Sequence, residues 1–397
     1  MQFEDLKFEL KEDLIVTLYD LFQFIIPKKE LNKIGKCSVS KNEFIGNETK
    51  FGFLISKYIK DLVHKNSGKK ALYIHANSGI PLLGTVYFGI VDRNTNLVEL
   101  KPLTSCNLSC TFCSVDEGPK SNKRMDFIVE KDYLVQEFKK LVKGKGCDEI
   151  EVCINPQGEP FLYSKIVELI HDIKKIPEVK IISVNSNGTL LTKSKIDALV
   201  EAGLTRINFS LNAMDAQIAQ NLADSKAYNL NKTLEIIKYA SKKLNLNIAP
   251  VWLKGINDDQ IIPLIKFVKE LESNTDKTIF LGIQSALHYK FGRNPVEEML
   301  FEEFSDKLKE FEKKFDINLM SSPNFNFMET KKLDKPFKKN QIVKVKLFSP
   351  GRIKNEMLGV AGNRVISVIN CFEPVSSSIK VRIIKNKHNI FTSCLPT

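Results

Sequence analysis

Between residues 95 and 320 the spacing of apolar positions switches repeatedly between two periods. Stretches near 97–103, 149–154, 180–185, 205–211, 247–252 and 278–284 alternate as strands do. The segments between them carry apolar residues three and four apart, as in Ile261, Leu264, Ile265, Val268 and Leu271, or Ile166, Val167, Leu169, Ile170 and Ile173. This order predicts six parallel strands joined by crossover helices. Ser164 and Thr192 read as N-caps, and Gly203 lies just past a helix end.

The strands have a second property. Ile207, Phe209 and Leu211 share one face while Arg206, Asn208, Ser210 and Asn212 share the other; Ile182 and Val184 oppose Ser183, Asn185 and Asn187 in the same way. Strands covered by helices on both faces would read as unbroken apolar runs. One apolar and one polar face instead imply a sheet curled round a wet lumen with room for a polar ligand.

The flanks differ from this middle. The first 95 residues mix an amphipathic helix near 12–25 with strand-like pieces ending at 84–91, which predicts a small α+β domain. The last sixty change to short β-rich segments at 342–348, 365–370 and 379–384, separated by Pro350, Gly351, Gly359, Gly362 and 376–378, a pattern that suits a compact antiparallel barrel. The expected units are therefore 1–95, 96–325 and 336–397.

Composition adds a compartment and a partner. A chain of 397 residues with 43% hydrophobic content builds a sizeable core. It has no apolar run of about eighteen residues and opens on an acidic amphipathic stretch rather than a leader, so a cytoplasmic protein with no membrane partner is expected. The formal charge of +12 is unevenly placed: residues 335–397 hold twelve Lys and Arg against Glu356 and Glu373, leaving only +2 for everything before them. A basic module on a near-neutral body predicts a grip on a polyanion.

Eight cysteines are too sparse for a disulfide scaffold, yet three of them, Cys106, Cys110 and Cys113, fall within eight residues. They directly follow the first strand of the alternating region, where a barrel of parallel strands builds its sites. Three thiolates can hold three irons of a cubane and leave the fourth open; a structural zinc site would need a fourth ligand, and no Cys or His lies within thirty residues downstream.

The spacing Cys106-Asn-Leu-Ser-Cys110-Thr-Phe-Cys113 resembles the signature of the radical S-adenosylmethionine (SAM) superfamily, over roughly residues 95 to 320. The resemblance implies a partial (β/α)6 barrel, a [4Fe-4S] cluster on the three cysteines, and reductive cleavage of SAM to a 5'-deoxyadenosyl radical. Gln157-Gly158-Glu159-Pro160 resembles the family's Gly-Gly-Glu-Pro motif, which receives the SAM amino group; Gln157 departs from it. By the same resemblance Asn185, Asn187, Ser210 and Asn212 contact the ribose and carboxylate of SAM, and Val251, Leu253 and Gly255, with Phe112, pack its adenine. An external electron donor such as ferredoxin or flavodoxin is implied.

The stretch 339–384 resembles a TRAM domain, a small β-barrel of tRNA- and rRNA-modifying enzymes, so the expected partner is RNA, with tRNA foremost. Phe337, Phe348 and Phe372 are candidates for base stacking or for core packing. Radical SAM methylthiotransferases carry three further N-terminal cysteines, whereas residues 1–95 hold only Cys37. RNA methyl synthases of the superfamily carry methyl on a C-terminal cysteine and resolve it with a second, which makes Cys394 with Cys153 or Cys371 candidate catalytic thiols; small buried hydrophobes are the alternative. His288 and Tyr289 are candidates for the substrate mouth. The expected activity is modification of an RNA nucleotide by methylation, sulfur insertion or rearrangement. The rivals are a radical SAM enzyme for a peptide or small metabolite, and an RNA-binding protein with a structural cluster.

Overall fold

The computed structural model describes residues 5–319 and 327–396, so the expected boundary at 325 lies outside the described residues. Its central sheet runs in the order Ile279–Leu281, Asn245–Ile248, Arg206–Phe209, Val179–Ser186, Ile150–Ile154, Leu97–Lys101, Gly89–Asp92. The first six strands are parallel and the last pairs antiparallel at the edge. The helices Lys131–Lys145, Ile166–Lys174, Lys193–Ala202, Leu230–Ser241 and Ile261–Glu272 fall between successive strands. Their apolar stripes, such as Ile261, Leu264, Ile265 and Val268, are fully buried against one sheet face. The six expected strands and their order are found, and the sheet stays open rather than closing on itself.

Local chemistry explains some boundaries. The Thr192 hydroxyl accepts a hydrogen bond from Lys195 N at 3.2 Å, and Gly203 ends that helix at φ 105°. Ser164 caps nothing: the chain first makes a short turn at Pro160–Leu162, and the next helix begins at Ile166 without a side-chain cap.

The N-terminal region departs further from expectation. The stretch 12–25 is not a helix but two strands, Leu14–Leu18 and Phe22–Ile26, paired antiparallel with each other and, through the first, with Leu6–Leu10. Leu14, Val16 and Leu18, then Phe22, Phe24 and Ile26, all point into the core, a period of two that a crowded apolar run disguises as helical. The chain reverses at Tyr19 and Asp20, both at positive φ. Val63–His64 and Lys70–Ile74 extend this sheet, and Met125–Val129, from beyond the cysteine loop, adds to it in parallel. The N-terminal sheet and the barrel thus exchange strands between residues 89 and 129. Periodicity identifies a strand and not its partner.

The tail is a closed barrel of Ile342–Pro350, Glu356–Ala361, Arg364–Ile369, Phe391–Cys394 and Ser378–Lys385, around Val345, Leu347, Ile366, Val368, Val381, Ile383 and Phe391. It is docked firmly on the body. Val365 N donates to Leu83 O at 2.8 Å and Phe391 N to Gly84 O at 2.9 Å. A Cβ on Gly84, which sits at φ 122°, would come within 2.2 Å of Val365 O, so only glycine permits the approach. Among the described residues no helix is long and apolar enough to cross a membrane.

Candidate functional site: a cysteine loop above a polar lumen

The first barrel strand ends at Lys101, and the two-residue strand Thr104–Ser105 then pairs in parallel with Gln157–Gly158. A Cβ on Gly158, at φ 150°, would stand 1.9 Å from Ser105 O. Glycine there lets the Gln157–Pro160 segment lie directly against the backbone that enters Cys106, and Glu159 N donates to Ser105 O at 2.8 Å. The motif and the entry to the cysteine loop are set in register by main-chain pairing.

Cys106, Cys110 and Cys113 line a cavity of about 300 Å³ together with Phe112, Gly158, Glu159, Asn185, Asn187, Ser210, Asn212 and Val251. The lumen floor is polar and mostly paired with itself, with Asn247 Oδ1 and the lining hydroxyl of Ser285 left without a partner among the described residues. Glu151 and Arg206 form a buried ion pair, and Asn208 Nδ2 donates to Asn185 Oδ1 at 2.6 Å. Asn187 Nδ2 donates to Asn107 Oδ1 at 3.0 Å and lies 4.0 Å from the Cys106 sulfur. Asn212 Oδ1 accepts from Val251 N at 2.8 Å, fixing the end of the fifth strand.

Other candidates fall elsewhere. Pro160 starts the turn behind Glu159, Leu253 is fully buried, and Gly255 turns the chain toward the Asp258 carboxylate; none borders the cavity. The buried Cys153 thiol donates to Asn185 Oδ1 at 3.5 Å, and desolvation pushes its pKa up to about 11, which keeps it neutral. Cys394 lies on the last tail strand opposite Arg382, and Cys371 is buried in the tail core. Tyr289 borders the cavity, whereas the His288 ring meets Asn294. Phe337 packs on Phe391 and Phe348 on the body, while Phe372 is 78% exposed.

Burial dominates the electrostatics of two of the three thiols. Burial, then the charges of Glu159 and Cys110, raise the Cys106 thiol well above its ordinary value. Burial and Cys113 push Cys110 up to about 12. Thiolates become favourable here only beside positive charge, which iron supplies. Among the described residues no three His, Cys, Asp or Glu converge as a single-ion site. The three cysteines line one cavity with the polar residues of the lumen, and three thiolates of this kind are the ligand set of a cubane. Glu159 is wholly buried, and desolvation raises it to about 7 against the hydrogen bonds it accepts from Asn187 N (2.9 Å), Ser186 Oγ (2.8 Å) and Phe161 N (3.2 Å). Its carboxylate is held in one orientation, ready for a positively charged partner.

Two arginines that sequence patterns did not reveal hold the cysteine loop. Arg293 donates to Cys110 O and Glu117 O at 3.0 Å each and to Asp116 Oδ1 at 2.8 Å, and its own N–H reaches Cys113 O at 2.8 Å. Arg352, from the tail, reaches the loop's other side. Neither belongs to a local motif. Gln157, the departure from the motif, was the one trace, because its Oε1 accepts from Arg352 Nη1.

Known proteins resemble the chain over part or most of its length. Residues 100–268 match the model of the Radical SAM superfamily. An uncharacterized protein of Methanocaldococcus jannaschii is 36% identical over 379 residues, covering 89% of this chain and 86% of that one. A GTP 3',8-cyclase of Listeria welshimeri is 35% identical over 186 residues, 46% of this chain and 53% of the cyclase, so the chain spans about half the length of that relative. Among solved structures, TYW1 with a lysine-pyruvate adduct bound aligns at TM-score 0.39 and 20% identity over 57% of this chain and 76% of that one. Streptococcus suis SuiB bound to S-adenosylmethionine aligns at TM-score 0.40 and 13% identity over 80% and 72%.

Proposed function

The chain belongs to the radical SAM superfamily, whose members use a [4Fe-4S] cluster and SAM, and from that premise we propose that it modifies a nucleotide of RNA, tRNA foremost. When bound, the cluster supplies the electron that cleaves SAM reductively, and the family needs an external electron donor; ferredoxin or flavodoxin fits that part. In this reading Cys106, Cys110 and Cys113 hold three irons. Glu159 receives the amino group of SAM, Asn185, Asn187, Ser210 and Asn212 orient its polar end, and Phe112 and Val251 flank the base.

The observation that carries the RNA target is on the TRAM-like barrel. Lys344 and Lys380 sit directly opposite each other on paired strands, both exposed, and neither pairs with a carboxylate among the described residues. Like charges at facing positions repel, and a phosphate between them turns that repulsion into attraction. Lys346 and Lys385 extend the exposed basic face. The turn at residues 351–355 of the same barrel touches the cysteine loop, so a polyanion on this barrel is bound by a module fastened to the body that carries the cavity.

The test is tRNA binding by the full chain across a salt series. Wild type is expected to lose affinity linearly in log–log form, and the Lys344→Ala/Lys380→Ala variant to flatten the slope by about 0.7–0.9, the contribution of the one phosphate held between them. Anaerobic release of 5'-deoxyadenosine is expected to rise with tRNA. Stimulation by a nucleotide triphosphate or a peptide but not by RNA would overturn the reading.

A further inference from the structure

We infer that Arg352 is a positioning residue through which the tail barrel sets the geometry of the cysteine loop and the electronic environment of Cys113. The barrel then braces the cysteine loop from behind, without lining the cavity itself. The inference stands apart from the identity of the substrate.

Arg352 lies in the turn between Ile342–Pro350 and Glu356–Ala361, and that turn leaves the barrel to enter the body. Its side chain is 4% exposed. One guanidinium face of Nη2 meets Val115 O at 3.0 Å and the Glu117 carboxylate at 2.9 Å, while Nη1 meets Gln157 Oε1. Its carbonyl accepts from Arg124 N at 2.9 Å, and its guanidinium carbon lies 5.9 Å over the Tyr87 ring. A single planar fork therefore joins the far end of the cysteine loop to the segment that carries Glu159. Lysine has one point charge and cannot reproduce that geometry.

Glu117 is the link to the sulfur. Its N–H donates to Cys113 Sγ at 3.3 Å, and its carboxylate is held by Lys123 at 2.6 Å as well as by Arg352. Lys123 also grips Asp126 at 2.6 Å, and Asp126 accepts from Thr104 Oγ1 at 2.8 Å and Ser105 Oγ at 3.1 Å, just before Cys106. Both ends of the loop are thus tied to one buried network. Hydrogen bonds to cluster sulfurs shift its potential, because they favour the more negative, reduced state. The same placement accounts for Gln157: its Oε1 is the acceptor of Arg352 Nη1, and a glycine there would leave that nitrogen, like the buried Nε, without a partner among the described residues.

The experiment compares wild type, Arg352→Gln and Arg352→Lys in the full chain. Hydrogen exchange of the apoprotein reads the loop directly. Amides over 113–120 are expected to exchange at least tenfold faster in both variants, while tail-core segments 343–347 and 379–383 keep wild-type protection. After anaerobic reconstitution, the midpoint potential is expected to fall in Arg352→Gln by at least a threefold change in the reduced-to-oxidised ratio, and by less in the charge-keeping Arg352→Lys. Wild-type exchange over 113–120 together with an unchanged midpoint would overturn the inference. If Arg352→Gln does not fold, the exchange result for Arg352→Lys decides on the same criterion.

Discussion

Replacing Glu159 by Gln isolates one buried charge. The carboxyl titrates near 4.5 when unfolded and is raised to about 7 in the fold, chiefly by desolvation. Between these values the native apoprotein binds more protons than the unfolded chain, so its stability falls as pH rises through the window, and the full penalty is present above it. A shift of this size corresponds to roughly 3 kcal/mol. The Gln variant has no such proton, and its altered hydrogen bonds contribute an offset that does not vary with pH. The stability difference between wild type and Glu159→Gln should therefore change by roughly 3 kcal/mol between pH 4.5 and 8, with wild type losing ground. Urea unfolding of the anaerobic apoprotein, followed by the fluorescence of the single tryptophan, Trp252, measures this. A difference that stays flat with pH would refute the burial argument. Binding of SAM by the reconstituted protein should show the complement: below pH 7 the affinity of wild type weakens by at most about tenfold per unit, and the Gln variant loses that dependence.

Further outcomes follow from the packing. Serine at Cys106, Cys110 or Cys113 should reduce bound iron well below the roughly four atoms of a cubane and abolish SAM cleavage, both read on anaerobically reconstituted protein. Gly158→Ala places a methyl 1.9 Å from Ser105 O, and should lower iron retention and SAM cleavage together, while circular dichroism stays near wild type. Gly84→Ala drives a Cβ to 2.2 Å from Val365 O and should loosen the tail from the body, seen as faster proteolysis between barrel and tail and a lower midpoint of thermal unfolding. Asn187→Ala removes the contact to Asn107 and the neighbour of Cys106, and should weaken SAM affinity more than it lowers maximal turnover.

Much of this protein was legible before any coordinate. The switch between periods two and three to four marked six strands and their helices in order, because a one-faced sheet and an amphipathic helix both write their burial into the chain. The cysteine triplet and Gly158-Glu159 stood out as motifs, and the structure brings them to one cavity, since a loop and a turn at strand ends keep their residues within a short stretch of chain. What failed did so where partners are distant in sequence. Leu14–Ile26 looks helical until Leu6–Leu10 is laid beside it, and Met125–Val129 cannot announce that it belongs to the N-terminal sheet. Two of the five tail strands escaped notice because barrel closure, not local pattern, determines their pairing. Arg293 and Arg352 lie about 180 and 240 residues beyond the carbonyls they hold, and carry no motif. Composition and spacing determined which atoms could bind a cluster. Folding decided what surrounds those atoms, because burial and hydrogen bonding depend on neighbours that only tertiary structure assembles.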